Sequence, residues 1–278
     1  MKQNKKYLKF SKLRSMHYKR QIKSTKSLGA EMNFFLSPYT YIKSIYNIET
    51  STIIIFFSQF TRITGNNLTS VYIVLGLLGG LFLASNNKNL ILLGSLFIFT
   101  KSSFDWADGH LAKIKKQTSD LGKLLDNWGA HIGSYSFFCG FGIYLFNREN
   151  QQIFLILTLL IIFLKAVDLK NYGYQLAMHD IYQEKNKKNI LNKLNFNNKL
   201  FFKNRKISLL TKIKDFLQSF MDERARTVDF IILLILIDSF YLNIKFLDYF
   251  FYFIFFKILL IFIVGVYLTC FKNYLYKK

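Results

Sequence analysis

The chain has one proline, Pro38, and two cysteines, Cys139 and Cys270, in 278 residues. Both cysteines fall in apolar stretches, where they read as packing residues. Neither a disulfide framework nor a cysteine metal site is expected. Acidic residues are scarce, with 16 Asp and Glu against 38 Lys and Arg, and the net charge is +22. No nucleic-acid motif accompanies that charge, so no nucleic-acid partner is expected. No cleavable leader is visible, because the first apolar run begins near Thr52. No internal repeat is evident.

What the chain does contain is apolar. Hydrophobic residues make up 51% of it and aromatics 18%, including 31 phenylalanines. Beside so high a charge, this composition points away from a soluble domain and toward a helical membrane protein. The lysines cluster next to the apolar runs, which suits an anionic lipid surface. Six candidate spans follow one another: 68–85, 90–107, 121–146, 153–169, 227–242 and 246–271. Each approaches the roughly 20 residues that a helix needs to cross the hydrocarbon core. The expected fold is therefore all-α, a polytopic membrane protein with six transmembrane helices. A basic segment, 1–61, precedes the membrane domain, 62–278. In its first part Tyr7, Leu8, Phe10, Leu13 and Met16 line one side of a surface helix, or the stretch is a disordered basic tail. An interfacial helix then feeds the first span. Within the membrane domain, 171–226 reads as a basic cytoplasmic loop. It holds either an amphipathic helix on anionic lipid or a solvated linker.

Charge placement gives an orientation. Residues 1–49 carry 11 Lys and Arg, and 171–226 carry 12. The alternate short loops offer one each, Lys88, Arg148 and Lys245. Both termini are therefore expected on the cytoplasmic side, with an even number of spans.

The most informative residues lie where the second span ends and the third begins. Asp105, Asp108, Gly109, Ala112 and Lys113 are followed, after eight residues, by Gly122 and Asp126. On a helix Asp105, Asp108 and Ala112 share one face, and Gly122, Asp126 and Ala130 share another. The two spans run in opposite directions, so the three acids meet at similar depth near the cytoplasmic surface. Carboxylates in a membrane segment are costly and are functional candidates by default. Clustered, they repel unless a cation joins them, and hard oxygen ligands suit Mg²⁺ or Mn²⁺. Such a site suits phosphoryl transfer. Gly109 lets a ligand approach the backbone. Lys113 offers a phosphate a point charge without the fork of an arginine. Gly122, Gly129 and Gly133 allow close helix packing.

This pattern resembles the signature of the CDP-alcohol phosphotransferase family, D-x-x-D-G-x-x-A-R-(x)8-G-x-x-x-D-x-x-x-D. Six of its eight fixed positions match; Lys113 replaces the arginine and Ala130 the last aspartate. Upstream, Ile63 to Thr69 is similar to the family's I-T-P-N-x-x-T, with Gly65 in place of proline. The resemblance implies six helices around a cytoplasm-facing cavity, in a homodimer. It implies transfer of a substituted phosphate from a CDP-alcohol, with CDP-diacylglycerol the first donor to consider, to an acceptor alcohol. CMP is released, and the pathway is phospholipid biosynthesis. Metal binding falls on Asp105, Asp108 and Asp126, and substrate contacts on Gly109, Lys113 and Gly122. The missing last aspartate is the family's general base. His131 is a candidate substitute, although it sits about 100° around the helix from residue 130. Asp126 or the metals are an alternative. A catalytically impaired relative, acting as a binding or structural membrane protein, is the second reading.

Overall fold

The computed structural model describes residues 7–27, 38–167, 226–240 and 245–272. The basic loop expected at 171–226 lies outside the described residues, except for Arg226. Among the described residues there are eight helices and no strand. They are α1 (Phe10–Ser27), α2 (Pro38–Ser58), α3 (Gly65–Leu83), α4 (Lys88–Ile114), α5 (Asp120–Glu149), α6 (Ile153–Ala166), α7 (Arg226–Phe240) and α8 (Phe246–Lys272).

The last six helices coincide with the six expected spans, with ends shifted by a few residues. Among the described residues, three are long and apolar enough to cross a membrane: Gly65–Leu83, Lys88–Ile114 and Phe246–Tyr267. α6 and α7 have 14 and 15 residues. At about 1.5 Å per residue, they cover roughly 22 Å of a core about 30 Å thick. α5 is long but carries charge in its first half.

The chain divides into two compact units. The first holds Met1–Phe154 and Glu223–Ile244; the second holds Leu155–Asp222 and Lys245–Lys278. In the first unit α3 packs against both α4 and α5, α2 packs on α4 and α1 on α2, and α7 lies against α4. Small residues permit the tight crossings. A Cβ on Gly94 would sit 2.8 Å from the Gly79 carbonyl oxygen, and one on Gly76 would sit 3.2 Å from Gly133 Cα. The outward faces stay apolar, with Leu81 and Leu96 more than half exposed. That is the pattern expected when the solvent is lipid. α2 is joined to α7 by polar contacts. Lys43 Nζ lies 2.7 Å from Asp229 Oδ2 and over the Phe99 ring, and the Tyr39 hydroxyl donates to the same carboxylate oxygen at 2.5 Å.

Residues 10–27 are helical and docked, which resolves the two readings of the amino terminus for this stretch. Leu13 is buried in a cluster with Ile55, Leu68, Ala107 and Leu111. Only part of the apolar line read from the sequence packs inward. Tyr7, Phe10 and Met16 are exposed, while Leu13 and His17 are buried. The helix seats on α2 through polar groups as well. Gln59 bonds both the amide and the carbonyl of Leu8 at 2.9 Å. Arg14 pairs with Glu49 at 2.6 Å, and Tyr18 donates to Glu49 at 2.7 Å.

Candidate functional site

The turn between α4 and α5 brings the two halves of the acidic motif face to face. α4 ends with Lys116 in the left-handed region, at φ 57. The Gln117 amide bonds back to Ala112 O at 2.8 Å, and the Lys116 amide bonds to Lys113 O at 3.2 Å. This is a Schellman closure, which satisfies the last carbonyls of the helix. Ser119 then caps α5 by accepting from the Gly122 amide at 3.0 Å. Four residues, 116–119, thus reverse the chain. Lys115 ties the turn to α2 and the start of α3 by donating to the carbonyls of Ser58, Thr61 and Ile63.

α3 supplies the floor. Thr64 is its N-cap, in a reciprocal capping box with Asn67. Gly65 follows, and a Cβ there would lie 2.8 Å from Asp108 O and 2.9 Å from the Ala112 side chain. Glycine at this position lets α3 lie directly against the motif. One turn on, the buried Thr69 hydroxyl donates to Asp108 Oδ2 at 2.6 Å. The other oxygen of Asp108 accepts from the Gly109 amide. The Tyr72 hydroxyl donates to the Asp126 carbonyl at 2.5 Å and lies 3.4 Å from its carboxylate.

Asp105, Asp108, Gly109 and Asp126 line one cavity of about 240 Å³, together with His17, Arg20, Gln21, Ile48, Trp106 and His110. The carboxyl groups of Asp105 and Asp126 share this cavity, where their charges disfavour each other. Clustered carboxylates repel unless a proton or a cation joins them. Gly109 has nothing within 4 Å of where a side chain would point, so its face is open. Asp108 is buried and Asp126 exposed.

The other expected site residues lie apart from this cavity's wall. Lys113 is exposed one turn past Gly109. Gly122 faces Asn66, whose side-chain oxygen would be 2.8 Å from a Cβ at 122. His131 lies beside Tyr135, with ring centroids 6.2 Å apart, and does not line the cavity. Ala130 is exposed.

Sequence reasoning missed the contribution of α1. His17 Nδ1 lies 3.2 Å from Ser51 Oγ and 3.3 Å from Thr52 Oγ1. Its Nε2 is buried with no hydrogen-bond partner among the described residues. Burial pushes the His17 imidazole down to about 4, so the ring is neutral near pH 7. It stands perpendicular to the His110 ring at 3.5 Å. The signal available in the sequence was the spacing of His17, Arg20 and Gln21 at one helical turn, on a segment whose apolar residues drew attention to another face.

A sequence profile of CDP-alcohol phosphatidyltransferases matches residues 62–221, more than half of the chain. The chain belongs to the CDP-alcohol phosphatidyltransferase family. Among curated proteins, no match to the chain reaches significance. A CDP-alcohol phosphatidyltransferase moves a phosphatidyl group from a CDP-alcohol, and the family is one of membrane-bound transferases in phospholipid synthesis that depend on divalent metal. The donor set here has the right chemistry for such an ion. Three carboxylates face one cavity, two of them close enough to repel. Among the described residues, no three His, Cys, Asp or Glu side chains are gathered tightly enough to hold an ion as they stand.

Proposed function

We propose that this protein transfers a substituted phosphate, in the first instance phosphatidyl from CDP-diacylglycerol, to an acceptor alcohol, releasing CMP. The observation that carries this reading is the meeting of Asp105, Asp108, Gly109 and Asp126 in one cavity. Asp105, Asp108 and Asp126 would hold Mg²⁺ or Mn²⁺, which when bound supplies positive charge against the donor's diphosphate. Gly109 leaves room for the donor to approach the backbone, and Lys113 and Gly122 border the nucleotide. The acceptor oxygen attacks the phosphorus that carries the alcohol. A new P–O bond forms, the bond to the bridging oxygen breaks, and CMP leaves with that oxygen. Asp126, exposed in the cavity, is the proposed acceptor of the hydroxyl proton; His131 is the second candidate. The proposed unit is a homodimer in an anionic membrane. Six helices per chain cross it, with both termini and the cavity on the cytoplasmic side. Residues 1–61 form the basic interfacial segment and 62–278 the membrane domain.

The test is CMP release by purified protein with CDP-diacylglycerol, Mg²⁺ or Mn²⁺ and a panel of acceptor alcohols. Metal-dependent release with one acceptor supports the transferase and names the acceptor. No release with any acceptor, or with smaller CDP-alcohols, sinks it. The second reading, a binding or structural relative, would then stand, and Ala130 in place of the last carboxylate is what favours it.

Thr69 offers a finer check. Its hydroxyl fixes one oxygen of Asp108. Thr69→Val keeps the shape and removes the donor. Loss of such an orienting bond is expected to lower activity by about 10- to 100-fold. It should also lower stability by about 1–3 kcal/mol, since a buried carboxylate oxygen loses its partner. Thermal melts and initial rates at several Mg²⁺ concentrations measure both, and higher Mg²⁺ should recover part of the rate.

A further inference from the structure

We propose that Arg20 grips the donor's diphosphate, so that the amino-terminal helix α1 is a wall of the substrate site. The inference rests on reading the aspartate cavity as the donor site. It comes from how α1 is held and from which of its charges is left over. Leu13 fixes the helix in the core, and Gln59, Glu49, Ser51 and Thr52 hold it along α2. Arg14 is engaged with Glu49. One turn past His17, Arg20 reaches the cavity that holds Asp105, Asp108, Gly109 and Asp126. Among the described residues it makes no hydrogen bond or ion pair.

Lys113, exposed one turn past Gly109, likewise has no hydrogen bond or ion pair among the described residues. In the cavity that Arg20 reaches, Asp105, Asp108 and Asp126 gather negative charge. A diphosphate carrying a divalent cation would answer both, with Arg20 toward its phosphates and the aspartates holding the cation. A guanidinium binds two phosphate oxygens through parallel N–H donors, which an ammonium cannot do. The fork that the motif lacks at Lys113 is thereby supplied from another helix. The buried, unpartnered His17 Nε2 lies one turn away on the same helix.

The experiment is calorimetric titration of the full-length protein, with Mg²⁺ present, using CDP and CMP as probes. Arg20→Ala, Arg20→Lys and, as a charge control on the exposed part of α1, Lys12→Ala are compared with wild type. Arg20→Ala is expected to weaken CDP about 10- to 100-fold, the worth of a charge-assisted bond. CMP should weaken less, Arg20→Lys should fall between, and Lys12→Ala should match wild type. Wild-type affinity for CDP in Arg20→Ala overturns the inference and leaves the donor site standing. Equal losses in Lys12→Ala and Arg20→Ala also overturn it, because surface charge alone would then explain them. Failure of wild type to bind CDP at all overturns the donor-site reading and the role of Arg20 together. Arg20 is exposed, so its variants are expected to fold, and unchanged thermal melts verify that they do.

Discussion

Asp126→Ala is expected to lower CMP release by a thousandfold or more while leaving the protein at least as stable as wild type. The kinetic half follows from charge. A bound cation is worth several kcal/mol to a developing phosphoryl charge, and about 4 kcal/mol corresponds to roughly a thousandfold. The stability half follows from the structure. Asp126 is exposed, and its carboxyl group shares a cavity with that of Asp105. Removing it takes away a repulsion in the metal-free protein, whereas the Tyr72 hydroxyl keeps the backbone carbonyl of residue 126 as its main acceptor. Mg²⁺ should therefore raise the melting temperature of wild type and have much less effect on the variant. Asp108 is the poorer choice for this test, because its buried carboxylate also bonds Thr69 and the Gly109 amide. A folding defect there would mimic a catalytic one. His131→Ala is expected to cost less than Asp126→Ala, since its ring lies off the cavity beside Tyr135. Release by Asp126→Ala within tenfold of wild type would remove Asp126 from both of its proposed roles.

The parts of the fold that hydrophobic pattern governs could be read from the sequence. Helices α3 to α8 follow apolar runs, and the two halves of the acidic motif fall on the end of α4 and the start of α5 as their spacing requires. Asp105, Asp108 and Asp126 share a cavity because α4 and α5 are joined by a short turn and both pack on α3. What could not be read depends on contacts between segments distant in sequence. Among the residues of α1 whose burial is described, Leu13 is the one strongly buried apolar residue; His17, also buried, has polar partners on α2 some 35 residues away. A periodicity argument weights Tyr7, Phe10 and Met16, which stay exposed, and does not show that Leu13 and His17 meet α2. Gly65 is similar in its effect. Its place against Asp108 is set by the crossing of α3 and α4, which no local rule reveals. Arg148 had the look of a loop charge. It is in the last turn of α5, bonded to a carboxylate 90 residues further along the chain.

That carboxylate carries the largest expected stability effect. The Asp238 side chain is 1% exposed, and both its oxygens lie 3.2 Å from Arg148 Nη1. The Tyr144 hydroxyl donates to Asp238 as well. Arg148 is itself largely buried and also contacts Glu149 at 2.9 Å. Asp238→Ala leaves the guanidinium enclosed without its main counter-ion and is expected to cost about 3–5 kcal/mol. Asp238→Asn should cost less, because the amide oxygen still accepts from Tyr144 and Arg148. Coupling gives a second expectation. In Asp238→Ala with Arg148→Met neither charge is stranded, and the double variant should recover much of the loss, as buried pairs replaced by apolar groups often do. The pair borders a separate cavity of about 300 Å³ among Ser85, Lys88, Tyr144 and Asn147. Along α5 it lies 22 residues from Asp126, or about 33 Å of helix. CMP release per folded molecule should therefore be unchanged in all three variants while their melting temperatures differ. Equal melting of wild type and Asp238→Ala would mean that water in the neighbouring cavity already stands in for the carboxylate.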